Sequence, residues 1–131
     1  MNAFKAYDIR GIYNRDFDRN DVYRIGFYLP QLMKTDKILV GRDVRNSSPE
    51  IFETLSYGIT DSGASVYDAG LATTPMIYYL TAREEFSASV MITASHNDSE
   101  YNGMKISGKN ATPIGYDTGL NQLEKLMQEK P

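Results

Sequence analysis

The residues best suited to chemistry in this sequence are Ser95, His96 and Asn97, which stand side by side after a short apolar run. A serine hydroxyl serves as a nucleophile or a phosphoryl carrier only where its surroundings hold it in line and neutralise the charge on the transferring group. The side chains available for that neutralisation are His96, Lys105, Arg10 and Arg42. The sequence therefore allows a group-transfer site centred on Ser95.

The same three residues are also typical of a turn held by hydrogen bonds from side chains to the backbone. Ser95 and His96 are adjacent, whereas catalytic triads assemble from separated segments, so their adjacency does not give triad geometry. His96 is the only histidine in the chain, which argues against a metal site built from histidines. From these residues alone, a turn and a catalytic loop both remain open.

Two other segments resemble known ligand loops but fail at decisive positions. Residues 103–110 nearly match a Walker A loop, but Asn110 stands where a serine or threonine hydroxyl should reach magnesium, and no helix pattern follows. Residues 16–27 begin like a calcium loop, but Asp21 replaces the turn glycine and Phe27 replaces the bidentate glutamate. We therefore expect no nucleotide at the first segment and a solvated acidic loop at the start of the second.

Length and composition limit the class of protein. With 131 residues and 41% hydrophobic content, residues 1–131 suit one globular domain. The net charge of -3 is spread along the chain and gives no basic stripe, so we expect no nucleic-acid partner. The absence of cysteine excludes disulfides and thiolate metal sites. No signal-like N-terminus and no run of ~20 apolar residues is present, so the sequence predicts a cytoplasmic protein without a membrane span.

The pattern of elements predicts an α/β domain. Three apolar runs rich in β-branched residues predict strands at 37–41, 64–67 and 88–93. One helix is predicted to start at Ser47 to Glu50, where a serine cap precedes a proline in the first turn. Another is predicted over 21–33, with Pro30 weakening its last turn. Two more are predicted to start at Thr74 and near Thr118. This alternation predicts three α/β/α layers: a mixed, mostly parallel sheet with helices on both faces. Ser95 would then follow a strand at its carboxyl end, where such sheets bind ligands.

Five segments in a fixed order make a more specific signature. They are residues 4–11 (Phe-Lys-Ala-Tyr-Asp-Ile-Arg-Gly), 41–45 (Gly-Arg-Asp-Val-Arg), 73–75 (Thr-Thr-Pro), 93–97 (Thr-Ala-Ser-His-Asn) and 101–105 (Tyr-Asn-Gly-Met-Lys). In this order the chain resembles the N-terminal domain I of the α-D-phosphohexomutases, the phosphomannomutase/phosphoglucomutase family. The resemblance extends from residue 4 to about residue 127.

The resemblance implies a complete reaction for the parent enzyme. Members of this family have four domains around one cleft, and here Ser95 would be phosphorylated and would donate its phosphoryl group to a hexose monophosphate. A hexose 1,6-bisphosphate forms, reorients and returns its other phosphate to the serine, and it also acts as the activator. The expected partners are mannose or glucose 1- and 6-phosphates and the other three domains, which this chain lacks. We expect the chain to be a fragment that is inactive by itself.

The resemblance also implies roles for individual residues. Lys105 would act as a general acid/base or charge stabiliser, and Arg10 would contact phosphate in the cleft. His96 and Asn97 would shape the phosphoserine loop, and His96 is a catalytic candidate together with Ser95 and Lys105. The remaining candidates for substrate or phosphate binding, by their places in the motifs, are Tyr7, Asn97 and Arg42. Mg²⁺ would be bound by the phosphate on Ser95 and by a run of aspartates in the second domain, which is absent here.

One departure from the family pattern and several alternatives stay open. Asp98 follows Asn97 where the family usually has proline, which would remove a rigid φ and add a negative charge beside a phosphate site. The sequence does not separate mannose from glucose phosphate as the substrate, and a phosphoglucosamine mutase is a further option. A sugar-phosphate-binding module without turnover, or an interaction domain controlled by a kinase acting on Ser95, would also use an exposed phosphorylatable serine.

Overall fold

The computed structural model describes residues 1–129, and within this part of the chain five strands form one mixed sheet. The strands are β1 (Ile9–Ile12), β2 (Lys37–Arg42), β3 (Ser65–Leu71), β4 (Ser89–Ile92) and β5 (Tyr101–Ser107). Their order in the sheet is β1-β5-β4-β2-β3. Strand β2 is parallel to β3 and β4, whereas β5 is antiparallel to both of its neighbours, β4 and β1. All the strands except β5 therefore run in one direction, as the predicted mixed sheet requires.

Helices cover both faces of the sheet. They are α1 (Arg19–Met33), α2 (Ser48–Asp61), α3 (Thr74–Arg83) and α4 (Leu120–Glu129). Val40 and Val90 lie on the face that packs against α1, α2 and α4, while Leu39 and Met91 lie on the other face with Ile77 of α3. Because successive side chains of a strand point to opposite faces, β2 and β4 are buried on both sides. The three-layer prediction is confirmed.

The three predicted strands and the four predicted helices are present within a few residues of their expected bounds, but β1 and β5 were not predicted. Strand β5 contains Asn102 and Gly103, which are depleted in strands. Each has a tertiary reason: Asn102 is fully buried and hydrogen-bonded, and a Cβ on Gly103 would lie 2.0 Å from the carbonyl oxygen of Ile9. Glycine at this position lets β1 approach β5.

Ser47 stands at the N-terminus of α2, as predicted, but it does not cap the helix by a hydrogen bond. Ser47 precedes the helix with helical backbone angles (φ -84°, ψ -11°), and its side chain makes no capping hydrogen bond. Its hydroxyl accepts a hydrogen bond from Asn102 of β5 instead, and Glu50 accepts one from Tyr13. Tertiary partners therefore use the side chains that a capping box would have needed.

A capping box is present at α1, in the segment that the sequence assigned to a solvated acidic loop. The side chain of Asp18 accepts from the backbone N–H of Asp21 (3.1 Å), and the side chain of Asp21 accepts from the N–H of Asp18 (2.9 Å). The helix continues three residues past Pro30 to Met33, and Lys34, with left-handed backbone angles, follows as its C-cap. The acidic residues here start a helix.

Two glycines bring α1 and α2 into close contact. A Cβ on Gly26 would lie 2.3 Å from the carbonyl oxygen of Leu55, and a Cβ on Gly58 would lie 2.1 Å from the carbonyl oxygen of Tyr23. Both distances are far below van der Waals contact, so the helices touch backbone to backbone at this crossing. The tight pair fixes α2, whose N-terminal end faces the loop described below.

Candidate functional site

The segment between β4 and β5, residues 93–100, holds the serine that the sequence singled out. Ser95 is exposed at the carboxyl end of β4 and has a left-handed φ of 56°. Its N–H donates to Thr93 Oγ1 (3.0 Å), and the N–H of Asn97 donates to the carbonyl of Ala94 (3.1 Å). A left-handed conformation at a residue other than glycine costs about 1–3 kcal/mol, so surrounding contacts must hold it. The loop therefore has a defined conformation in which the serine is exposed to solvent.

The register of β1 against β5 places three charged residues on one face of the sheet. Ile9 and Met104 are opposite each other in the ladder and both are buried in the main core. Arg10 follows Ile9, Lys105 follows Met104, and Asp8 precedes Ile9. Because neighbouring side chains of a strand point to opposite faces, these three charged residues belong to the face on which α3 packs against β2 and β4. Because of this register, Arg10 and Lys105 lie on the face of the sheet away from the main core.

An ion-pair cluster joins these residues to the loop. Lys105 Nζ lies 3.0 Å from Asp8 Oδ2, and Arg10 Nε lies 3.9 Å from Asp8 Oδ1. Arg10 Nη1 also donates to Asn97 Oδ1 (3.2 Å). The Asp8 side chain is 7% exposed, whereas those of Lys105 and Arg10 are 27% and 40% exposed. Asp8 thus anchors the two cations from beneath while both remain accessible to an anion.

Asp16 fixes the carboxyl end of β1, two residues after Arg10. Asp16 Oδ2 accepts from the backbone N–H of Ile12 (2.7 Å), and its carboxylate pairs with the guanidinium of Arg15 at 3.1 Å. The Arg15 guanidinium, together with the Ile12 N–H, holds the pKa of Asp16 below its ordinary value. A cleft beside the loop is lined by Lys5, Arg10, Arg15, Asn97 and Tyr101, with Asn2, Gly11 and Asp16. The cleft borders the loop at Asn97 and is lined by three cations and one carboxylate, that of Asp16, which suits an anionic ligand.

Arg45 binds the backbone of the loop from the side of β2. Its Nη2 donates to the carbonyls of Ser95 (2.9 Å) and Asn97 (2.8 Å), and its Nη1 donates to those of Asp98 (2.7 Å) and Tyr101 (3.0 Å). The Arg45 side chain is 12% exposed. One guanidinium therefore satisfies four carbonyls of residues 95–101.

A buried hydrogen-bonded network connects Arg45 to β5 and to α2. Asp43 Oδ2 lies 3.4 Å from Arg45 Nε, and Asp43 Oδ1 accepts from the hydroxyl of Ser48 (2.7 Å). Asn102 Nδ2 donates to the hydroxyl oxygens of Ser48 (3.0 Å) and Ser47 (2.8 Å), and Asn102 Oδ1 accepts from the N–H of Gly103 (2.9 Å). The network fixes both ends of the loop against one helix terminus.

The other predicted site residues lie in different surroundings. His96 is exposed in the loop. Tyr7 is 85% exposed and lines a separate, more apolar cavity that includes Phe4, Pro113 and Tyr116. Arg42, at the end of β2, donates to Asp68 of β3 (3.1 Å) and lies 4.6 Å from the ring centre of Phe52. The structure therefore links Arg10 to Asn97, on the loop that carries Ser95, and to Lys105 through Asp8. The partners of Arg42 turn it toward β3 and α2 instead.

Sequence reasoning missed two cations of the cleft, Lys5 and Arg15, and four residues that orient the site: Asp8, Asp43, Arg45 and Asn102. All four lie inside the motifs that were recognised, which was the available signal. The loop carbonyls that Arg45 binds are 50 or more residues away in the sequence, and Asp8 and Lys105 are 97 residues apart. Only the folded sheet brings such pairs together.

The described residues alone do not form a metal site. Across residues 1–129 no group of three or more histidine, aspartate or glutamate side chains is arranged to hold a metal ion. In the same part of the chain, no helix has both the length and the apolar content to cross a membrane.

The chain is similar to known proteins over its whole length. The family model described as "Phosphoglucomutase/phosphomannomutase, alpha/beta/alpha domain I" matches residues 1–131. A "Phosphomannomutase" of Klebsiella pneumoniae is 41% identical over 129 residues, which cover 98% of this chain and 82% of that protein. An Escherichia coli "Phosphomannomutase" is also 41% identical over 129 residues, but they cover only 28% of its length. The chain thus spans less than a third of that relative.

A solved structure supports the same fold. The chain superimposes on a phosphoglucomutase/phosphomannomutase family protein of Burkholderia thailandensis with a TM-score of 0.88 and 28% identity. The match covers 98% of this chain and 30% of that one. The five-stranded domain described here therefore occurs as part of a longer polypeptide in that protein.

Proposed function

Because this chain belongs to the phosphoglucomutase/phosphomannomutase family, as its N-terminal domain I, we propose that it carries the phosphoserine of a four-domain phosphohexomutase. The reaction is the interconversion of hexose 1-phosphate and hexose 6-phosphate, through a phosphorylated Ser95 and a hexose 1,6-bisphosphate. One observation carries the proposal: Ser95 is exposed on a loop that Arg10 binds through Asn97, beside a cleft lined by three cations. A phosphoserine of charge about -1.5 to -2 needs such surroundings.

Ser95 would exchange its phosphoryl group directly with sugar hydroxyls. The bond between Ser95 Oγ and phosphorus breaks while a sugar oxygen bonds to the same phosphorus. The sugar hydroxyl loses one proton and the serine oxygen gains one, so the transfer is balanced. We assign the movement of this proton, or stabilisation of the charge, to Lys105, whose ammonium group Asp8 holds at 3.0 Å.

Arg10 would bind the phosphate of the substrate. Its guanidinium is 40% exposed and is oriented by Asp8 on one side and Asn97 on the other. A guanidinium held in this way can offer its remaining N–H donors to phosphate oxygens as a fork. The neighbouring cations Lys5 and Arg15 in the cleft add positive potential at the same place.

Magnesium would be held mainly outside this chain. Since residues 1–129 contain no cluster of acidic or histidine ligands, we propose that this domain supplies only the phosphate on Ser95. When bound, Mg²⁺ neutralises charge on the transferring phosphoryl group. The domain alone would then lack the metal ligands and most of the sugar contacts, and we expect it to be inactive as a mutase.

The proposal is tested by mapping phosphorylation in the full-length protein with magnesium, before and after incubation with glucose 1,6-bisphosphate. We expect phosphate on Ser95, and its loss when mannose 6-phosphate or glucose 6-phosphate is added; the faster sugar identifies the preferred substrate. Ser95→Ala should abolish labelling, whereas Ser99→Ala, a change of an exposed serine in the same loop, should not.

Other results would point elsewhere. A Ser95 that never labels, in a protein that still binds hexose phosphates, would leave a binding module as the function. A Ser95 that is labelled by a kinase and ATP but not by the bisphosphate would indicate a phosphorylation-controlled interaction domain. Turnover of glucosamine phosphate in preference to both hexose phosphates would assign a phosphoglucosamine mutase.

A further inference from the structure

We infer that Arg45 is a positioning residue for phosphoryl transfer, acting by holding the backbone of residues 95–101 in the one shape that presents Ser95 at the surface. The inference rests on the proposed function. Arg45 does not touch the reacting atoms in this assignment: its contacts are the carbonyls of the loop and the carboxylate of Asp43.

The number and direction of these hydrogen bonds carry the inference. Two terminal nitrogens of Arg45 each serve two carbonyls, at 2.7–3.0 Å, and its Nε lies 3.4 Å from Asp43 Oδ2. Hydrogen bonds from a charged donor are stronger than neutral ones. The nearly buried guanidinium thus fixes four peptide units of one short loop at once, which four separate neutral donors could do only at a greater entropic cost.

The contacts also arrange charge around the serine. Carbonyl oxygens are partly negative and would repel a phosphoryl group, and Arg45 turns those of Ser95, Asn97, Asp98 and Tyr101 toward itself. The left-handed φ of Ser95 is maintained by the bond from Arg45 to the carbonyl of the same residue. Arg45 thus fixes the shape of the loop and the direction of its dipoles.

The same contacts order the loop backbone at Asp98, where the sequence predicted a loss of rigidity. Proline at this position would restrict φ, and Asp98 does not. However, the carbonyl of Asp98 accepts both from Arg45 (2.7 Å) and from the N–H of Tyr101 (3.0 Å). In this protein these two hydrogen bonds order the backbone at Asp98, where no proline ring restricts it.

The test uses Arg45→Lys and Arg45→Ala in the full-length protein, with Arg83→Ala, a change of an exposed arginine on α3, as the matched control. The mutase rate of each variant is divided by the fraction of its molecules that accept phosphate on Ser95. This division removes any loss of activity that is due to misfolded protein. We expect kcat to fall by about 10²-fold in both variants, the size of effect that a displacement of about 1 Å in a catalytic group produces. KM for the hexose phosphate should be unchanged, because Arg45 does not contact the sugar.

Two further measurements distinguish positioning from general stability. Guanidinium ion at concentrations too low to denature should partly restore kcat of Arg45→Ala and not that of Ser95→Ala. Hydrogen exchange of the Asn97 and Tyr101 amides should be faster in both Arg45 variants, while exchange in the strands is unchanged. This exchange measurement can also be made on the 131-residue chain.

The outcomes separate this inference from the proposed function. An unmutated protein without mutase activity would overturn the proposed function before any variant is compared. An active protein in which both Arg45 variants keep wild-type kcat, or in which only KM and the melting temperature change, would overturn the positioning role and leave the proposed function intact. Unchanged amide exchange in the loop would overturn it as well.

Discussion

Asn102 gives the most direct test of the buried network beneath the loop. Its side chain is fully buried, donates to the hydroxyls of Ser47 and Ser48, and accepts from the N–H of Gly103. Ser48 in turn donates to Asp43, so its single hydroxyl proton is already used. The asparagine amide must therefore be the donor to Ser48, and no acceptor-only side chain can replace it.

The expected cost follows from the hydrogen bonds that are lost. Asn102→Ala removes three, each with a net value of about 1 kcal/mol, and leaves the buried N–H of Gly103 unpaired, so the free energy of unfolding should fall by about 3 kcal/mol. Asn102→Asp preserves the shape but places a carboxylate against the Ser48 oxygen and near Asp43. At neutral pH its cost should be at least as large as that of the alanine variant.

The aspartate variant should depend on pH in a defined direction. Burial raises the pKa of the new carboxyl group above the ordinary value of about 4. Its neutral form can donate to Ser48 and accept from Gly103, so its loss of stability relative to the wild type should be smallest below the unfolded-state pKa. The loss should grow as the pH rises through the folded-state pKa. The alanine variant should show no such added dependence.

Urea unfolding at several pH values measures both effects, provided that the slope m is unchanged. Asn121→Ala and Asn121→Asp, at an exposed position of α4, are the matched controls and should remain near the wild type. If Asn102→Ala unfolds within about 1 kcal/mol of the wild type, the summed hydrogen-bond estimate is wrong. A loss for Asn102→Asp that is flat with pH would refute the donor assignment.

Three other predictions concern helix packing, alkaline stability and the ion pair. Gly58→Ala should lower the free energy of unfolding by about 1–3 kcal/mol despite the better helix propensity of alanine, because the new Cβ would lie 2.1 Å from the Tyr23 carbonyl oxygen. Urea unfolding measures this, with Thr60→Ala, at an exposed position of the same helix, as the control. A Gly58→Ala variant as stable as the wild type would contradict the close contact. Burial and the hydrogen bond to Glu50 raise the pKa of Tyr13 above 10, so the stability that this pair contributes should be lost as the pH rises above 10. In Tyr13→Phe the free energy of unfolding should fall less steeply with pH in this range. An equally steep fall in this variant would show that the pair does not couple to folding. Asp8→Asn should lower kcat by at least about 10-fold with little change in secondary structure, since its lysine partner loses the carboxylate that orients it; wild-type kcat would remove this aspartate from the mechanism.

The sequence by itself determined the features that depend on neighbouring residues. Apolar runs and helical periodicity gave β2, β3 and β4 and the four helices, and five ordered motifs gave the family and placed Ser95 at a strand end. Even here a local rule failed where tertiary contacts competed with it: Ser47 and Glu50 fit the pattern of a capping box, but their side chains bind Asn102 and Tyr13.

The tertiary structure alone decided which charges meet. Strand β1 pairs with β5 across about 90 residues of sequence, and it is this register that places Asp8 against Lys105 and Arg10 beside the loop. A slip by one residue would turn each of these side chains to the other face, although the composition would be identical. Arg45 likewise reaches carbonyls 50 or more residues away, and backbone carbonyls leave no mark in a sequence because every residue has one.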